Sequence, residues 1–300
     1  MASVTAALRP TACGTLSAAE RLERGEILTF ATCPFPLPHS DERTTLFEQH
    51  LDAAESKYIG YDPRHHRAFG FVQRSAAETK RLADTLGSWA SQATRWLSAL
   101  LPRYAAACEL DYVAFHPEEE ATRKLRLLDR NDLLHIDAAP AHPTHGRRLL
   151  RLFVNLHPTD PRVWQTSLSF AELFERFGAD VGLPAPATGP WWRPLRQGLL
   201  RLLQPARPLH APYDDFMLRF HDFLKRHESF QERTPKRCWH FVPGSAWLAF
   251  TDGVSHAELR GRFVLECAFF IARQGLACPE LAPFAHFQRA SAPSSNSLAA

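Results

Sequence analysis

The sequence predicts an α+β chain: an antiparallel β-sandwich or barrel with helices flanking it. Three observations predict it. From about residue 110, short apolar runs follow one another, divided by Pro, Asn and Gly, with little helical pattern between them; that is the rhythm of antiparallel strands, not of alternating strands and helices. Before residue 105, apolar residues recur at helical spacing behind capping signals. The chain has 300 residues, 45% of them hydrophobic, with 23 Pro and 14 Gly, enough to bury one sizeable core with many irregular connections.

Each element follows in chain order. Ser17 and Glu20 form a capping box with Leu16 as a staple, opening a helix. Ile27–Phe30 reads as a short strand and Asp41–Ala53 as a second helix. Ser75 and Glu78 form another capping box, after which Leu82, Leu86, Trp89, Ala93, Trp96, Leu97 and Leu100 mark one helix face until Pro102 stops it. Asp111–Phe115, Leu125–Leu128, Leu133–Asp137, Leu149–Leu156 and Val163–Leu168 read as strands. Ser169 and Glu172 cap a helix to about Phe177, and another helix spans Asp214–Gln231. Trp239–Val242, Ala246–Phe250 and Phe263–Ile271 complete the strands. Residues 1–290 are expected to be one domain, with a helical part at about 16–105 and the β core at about 110–272. Residues 291–300, rich in Ser and Ala, are expected to be a flexible tail.

The formal charge of +3, from 35 basic and 32 acidic residues, calls for no nucleic-acid partner. The six cysteines form no C-x-x-C pair, which argues against a structural zinc knuckle. The first residues lack a basic start and apolar run, so the expectation is an unexported protein with reduced thiols. No run of about 20 apolar residues is present to span a bilayer.

The chemistry concentrates at His135-Ile136-Asp137. On a strand, residues i and i+2 share a face, so this imidazole and this carboxylate address one ion together. His256, far along the chain, follows a strand and a turn and is the candidate third ligand. Two imidazoles and one carboxylate leave three positions open, which suits iron(II) with 2-oxoglutarate in two of them and O2 in the third. A 2-oxoglutarate enzyme also needs a cation for the distal carboxylate. On the strand 147–156, alternation puts Arg151, Phe153 and Asn155 on one face and Arg148, Leu150, Leu152 and Val154 on the other; Arg123, Arg260 and Arg262 are further candidates. His142 and His145 read as groups facing solvent or outside the ligand set, and adjacent His221 and Asp222 on a helix make a poor chelate.

At these residues the chain resembles the Kdo (3-deoxy-D-manno-oct-2-ulosonic acid) 3-hydroxylases. The resemblance rests on Leu134-His135-Ile136-Asp137, on 143–155 (Pro-Thr-His-Gly-Arg-Arg-Leu-Leu-Arg-Leu-Phe-Val-Asn), on Phe216-Met217-Leu218-Arg219-Phe220-His221-Asp222, on 241–247 (Phe-Val-Pro-Gly-Ser-Ala-Trp), and on Phe250 to Ala257 with His256. It covers about residues 20–272. It implies a double-stranded β-helix (jelly-roll, cupin-like) core and an iron(II)-, 2-oxoglutarate- and O2-dependent oxidoreductase, with ascorbate as a supporting reductant. The metal ligands and catalytic residues it implies are His135, Asp137 and His256. Arg151 and Asn155 are matched positions, and Arg123 and Arg148 remain cosubstrate candidates beside them. The implied substrate is Kdo in the inner core of lipopolysaccharide, carried on lipid A.

An anionic, membrane-seated substrate gives a meaning to 191–207, where Arg193, Arg196, Arg201 and Arg207 stand beside Trp191, Trp192 and several leucines. That composition is expected to touch an anionic membrane surface, placing the protein in the cytoplasm, peripheral on the inner membrane. Three alternatives stay open at this point: a 2-oxoglutarate hydroxylase of another small molecule or lipid, a non-catalytic cupin-like binding protein, and a zinc hydrolase using the same three ligands.

Overall fold

The computed structural model describes residues 16–53, 56–138, 141–182 and 211–292. The expectations for 191–207, for Cys13 and for most of the tail lie outside them. Two antiparallel sheets face each other. The larger runs β1-β8-β5-β10-β4-β2-β3 and the smaller β7-β6-β9, where β1 is Leu28–Phe30, β2 Ile59–Asp62, β3 Arg67–Phe69, β4 Cys108–His116, β5 Arg148–Asn155, β6 Arg162–Ser169, β7 Arg237–Phe241, β8 Ala246–Phe250, β9 Val254–Arg260 and β10 Val264–Ile271. β10 lies between β5 and β4 and is buried along its whole length, which explains its near-continuous apolar sequence. Glu266 is the one charge in it.

Helices cover the outer face of each sheet. α1 (Ala18–Glu23), α2 (Ser40–Phe47) and α3 (Ala76–Leu100) lie over the large sheet, where Leu82, Leu86, Trp89 and Leu97 of α3 pack with Leu150, Leu152, Val154 and Leu265. α4 (Phe170–Val181), α5 (Pro212–Arg226), α6 (Glu228–Arg233) and α7 (Pro283–Ser291) lie over the small one. There Phe170, Phe216, Phe220 and Phe230 enclose Leu134 and Ile136. Between the sheets, Phe153, Trp164, Phe241 and Trp247 form an aromatic plug, with Phe241 and Trp247 stacked at 3.8 Å.

The caps at Ser17 and Ser169 form reciprocal boxes. At Ser75 the hydroxyl accepts from Glu78 N, while the Glu78 carboxylate is bonded by Gln49. Three expectations need correction. The second helix ends at Phe47, because Val72 N–H donates to the His50 carbonyl and draws the chain into a bridge with 71. Residues 125–128 form no strand; the chain enters a 3-10 turn at Leu127–Asp129, where Asp129 N–H returns to the Arg126 carbonyl and the two side chains pair at 2.9 Å. The helix expected over 214–231 breaks at His227, whose Nδ1 accepts from Phe230 N–H and caps α6. Conversely, the hairpin β2–β3 and strand β9 carry no clear apolar alternation and were not expected.

One buried ion pair fixes the turn ahead of β9. Arg148 Nε donates to both Asp252 oxygens at 3.1 and 2.9 Å, and both side chains are 1% exposed. A Cβ on Gly253 would collide with the Arg148 guanidinium, so the turn needs glycine there. Asp252→Ala leaves a buried guanidinium without its counter-charge; it is expected to lower unfolding stability by about 3–5 kcal/mol in chemical denaturation, with a smaller loss for Asp252→Asn.

Candidate metal centre

Residues 133–137 join the small sheet through a single bridge: His135 N–H donates to the His256 carbonyl at 3.0 Å and His256 N–H to the His135 carbonyl at 2.9 Å. Residues opposed in this way across an antiparallel pair project to one side. The two imidazoles therefore lie together, with centroids 4.6 Å apart. Asp137 N–H donates to the Thr251 carbonyl at 2.8 Å, so the chain stays extended for two more residues and Asp137 follows His135 inward. Leu134 and Ile136 point outward into the helical layer. One ligand atom each from His135, Asp137 and His256 lies within 4.8 Å of the others.

The histidine tautomers follow from their partners. His135 Nδ1 lies 2.7 Å from the Leu133 carbonyl and His256 Nδ1 3.1 Å from the Val254 carbonyl. A carbonyl only accepts, so both Nδ1 atoms carry the proton and both Nε2 atoms present a lone pair. The Nε2 atoms lie 3.6 Å (His135) and 3.9 Å (His256) from the Asp137 oxygens. Asp137 Oδ2 is buried and has no hydrogen-bond partner. Two lone-pair nitrogens and an orphaned carboxylate oxygen, pointed at one another, are a donor set that fits a divalent ion.

Charge around the centre keeps these groups ready to ligate. Burial opposes ionisation of Asp137, but the charge of Arg151 outweighs it and holds the carboxyl well below its usual range. Burial, then the charge of Lys225, pushes the His135 imidazole well below its usual range. At neutral pH the carboxylate is charged and this imidazole is neutral, the forms that bind metal.

Arg151 is the arginine that the structure brings to the triad. Its Nε lies 3.1 Å from Asp137 Oδ2, an ion-pair contact whose angle makes no hydrogen bond, and its Nη1 lies 2.8 Å from Glu266. Glu266 also accepts from Tyr112 Oη at 3.2 Å and contacts His116 Nε2 at 2.9 Å. Burial disfavours the Glu266 carboxylate; Arg151 and His116 offset this and hold its pKa below the ordinary value.

The other cosubstrate candidates are placed elsewhere. Arg148 points to the opposite face and is committed to Asp252. Arg123 bonds the Ser56 and Lys57 carbonyls and pairs with Glu118. Asn155 donates to the Asp160 and Phe241 carbonyls and accepts from His157 N–H, so its amide braces a turn. Arg260 and Arg262 are exposed. His142 contacts Asp111 and lines a narrow cleft that reaches Asp137 past Thr144, Met217 and Asp252. Two roomier grooves, one at Ile27 and Trp239 and one at Phe47 and Arg262, include none of the three candidate ligands. His221, set aside as a chelating residue, packs its ring 5.0 Å from that of His135.

The family model for 3-deoxy-D-manno-oct-2-ulosonic acid (Kdo) hydroxylase matches residues 9–293. The chain belongs to the Kdo hydroxylase family. Comparison with curated proteins finds no match. Among solved structures, the Kdo hydroxylase KdoO, a non-heme Fe(II) alphaketoglutarate dependent dioxygenase, is similar in its apo form at 29% identity and a TM-score of 0.80, over 91% of this chain and 88% of that one. Its complex with alphaketoglutarate and Fe(III) matches at 30% identity and a TM-score of 0.78, and its cobalt(II) complex at 30% and 0.80, with the same coverage. The jelly-roll core that the resemblance implied is the fold of this Kdo hydroxylase.

Asp137→Ala and His256→Ala are expected to abolish stoichiometric Co(II) binding in calorimetric titration. Arg123→Ala, which touches none of the triad, is expected to leave the Co(II) affinity within about twofold, since changes without shared partners act independently.

Proposed function

We propose that this chain is an iron(II)- and 2-oxoglutarate-dependent dioxygenase that hydroxylates the Kdo sugar, with His135, Asp137 and His256 as metal ligands and Arg151 as the cosubstrate's cation. The observation that carries the reading is the inward-facing triad with a charged arginine against its carboxylate. Iron bound here would activate O2, and 2-oxoglutarate would supply two electrons by oxidative decarboxylation to succinate and carbon dioxide, so that the second oxygen atom can hydroxylate an unactivated C–H bond. The chain's residues have separate tasks. His135 and His256 offer Nε2 because their Nδ1 protons are held by backbone carbonyls. Asp137 supplies the single negative charge of the ligand set. Arg151, held between Asp137 and Glu266, offers its guanidinium to a carboxylate of 2-oxoglutarate. The aromatic plug of Trp164 and Trp247 closes the barrel beside His256, where the Trp164 and His256 rings stack at 5.3 Å, and keeps water from that side.

Kdo carried on lipid A is the acceptor this reading favours, and the cytoplasmic face of the inner membrane is where such an acceptor would be met. The composition of 191–207, four arginines beside two tryptophans with no acid between Asp180 and Asp214, supports contact with an anionic headgroup layer. Replacing Arg193, Arg196, Arg201 and Arg207 by Glu is expected to weaken binding to anionic liposomes and leave Co(II) affinity unchanged; unaltered liposome binding would remove this part of the reading.

The direct test is succinate formation from 2-oxoglutarate with iron(II) and ascorbate, with and without Kdo-lipid A. The expected result is turnover that rises with the acceptor and yields a product one oxygen heavier; an acceptor that changes nothing would assign the site another substrate. Arg151→Met is expected to raise KM for 2-oxoglutarate by about 100-fold, as removal of a buried ionic partner of a bound carboxylate does.

A further inference from the structure

The metal-bearing segment 133–137 lies at the outer edge of the small sheet. Its inner edge is paired: His135 exchanges both backbone bonds with His256, and Asp137 N–H reaches Thr251. Along an extended chain, backbone groups of alternate residues point to opposite edges. Those of Leu134 and Ile136 therefore face away from β9, where no strand follows among the described residues.

Two side chains from the helical layer take the place of that strand. Gln231 accepts from Leu134 N–H through Oε1 at 2.9 Å and donates through Nε2 to the Leu134 carbonyl at 2.8 Å. One amide thus makes both bonds that an opposed strand residue would make. Its second Nε2 proton goes to the Leu224 carbonyl at 2.8 Å, in the last turn of α5. A peptide N–H needs an acceptor and two carbonyls need donors, so these partners settle the orientation of the amide. Four residues before Lys225 on α5, His221 donates from Nδ1 to the Ile136 carbonyl at 2.7 Å, at the peptide between the two ligands His135 and Asp137. Lys225 itself donates to the Leu128 carbonyl at 2.9 Å, tying down the chain that leads into the segment.

We infer that Gln231 and His221 are positioning residues of the metal centre: they complete the missing edge of the ligand strand and so fix the spacing of His135 and Asp137. The segment has one bridge and no ladder to hold it, and a short edge of this kind slips or frays unless it is covered. A slip by one residue would turn Leu134 and Ile136 inward and both ligands out. The partners that orient metal ligands set affinity and coordination geometry, and here they come from helices rather than from the sheet.

The test uses the full chain loaded with Co(II). Gln231→Met keeps the size of the side chain and removes all three bonds. It is expected to weaken Co(II) binding by about 10–100-fold, to shift the visible absorption bands of the bound ion, and to leave KM for 2-oxoglutarate at saturating metal unchanged. Gln231→Glu keeps the acceptor for Leu134 N–H and loses both donors, and is expected to fall between. His221→Phe removes one bond while keeping the ring, and carries the test on its own if Gln231→Met does not fold; it is expected to shift the same bands. Unchanged Co(II) affinity and unchanged bands in His221→Phe and in either folded Gln231 variant would overturn the assignment, whatever happens to the melting temperature, and would reduce both residues to packing.

Discussion

The site depends on the two backbone hydrogen bonds between His135 and His256. They join a segment with no other strand partner to the first half of β9, and they do so in the register that places the two imidazoles side by side. Everything near the metal inherits that register. Asp137 turns inward because it is two residues from His135; Leu134 and Ile136 turn outward because they alternate with the ligands. The aromatic layer of α4, α5 and α6 closes over the outward pair. Burial of Leu134 and Ile136 is thus the force that keeps His135 and Asp137 facing the interior.

The second constraint is charge. Two carboxylates, the buried Glu266 and the partly buried Asp137, share one partly buried guanidinium, Arg151. An isolated charge at this depth would be neutralised by a shifted pKa; the shared arginine, with Tyr112 and His116 on Glu266, is what keeps the carboxylates ionised. Two anions around one cation leave that cluster one negative charge in excess, which favours a bound divalent cation. Arg148 and Asp252, on the far side of β5, form a separate pair that shapes the turn leading to His256. Two arginines three positions apart on one strand thus serve different ends, Arg148 shaping the turn and Arg151 facing the triad.

Much of this was legible in local patterns. The H-x-D spacing needs only strand alternation to put both candidate ligands on one face, and the capping boxes at Ser17 and Ser169 formed as read. Alternation also separated Arg148 from Arg151, although it could not say which face looks toward the metal; that depends on which sheet side α3 covers. Strand β9 was not legible, because Val254-Ser255-His256-Ala257-Glu258 has no apolar alternation and its extended form is imposed by β6. Nor were Gln231 and His221. Their contacts with the ligand strand bridge 97 and 85 positions and involve its backbone, which leaves no trace in the side chains of 133–137. Arg123 and Asn155 misled for a related reason: an arginine or asparagine near a site looks the same in sequence whether it meets a ligand or a carbonyl.

The fold, the family and the ligand set converge on one claim, that this centre divides O2 between 2-oxoglutarate and a Kdo sugar. The most direct measurement is turnover under isotopically labelled O2, followed by mass analysis of both products. The account predicts one labelled atom in succinate and one in the new hydroxyl of the sugar. Unlabelled hydroxyl, with its oxygen drawn from water, would contradict it and assign the triad to hydrolytic or hydration chemistry.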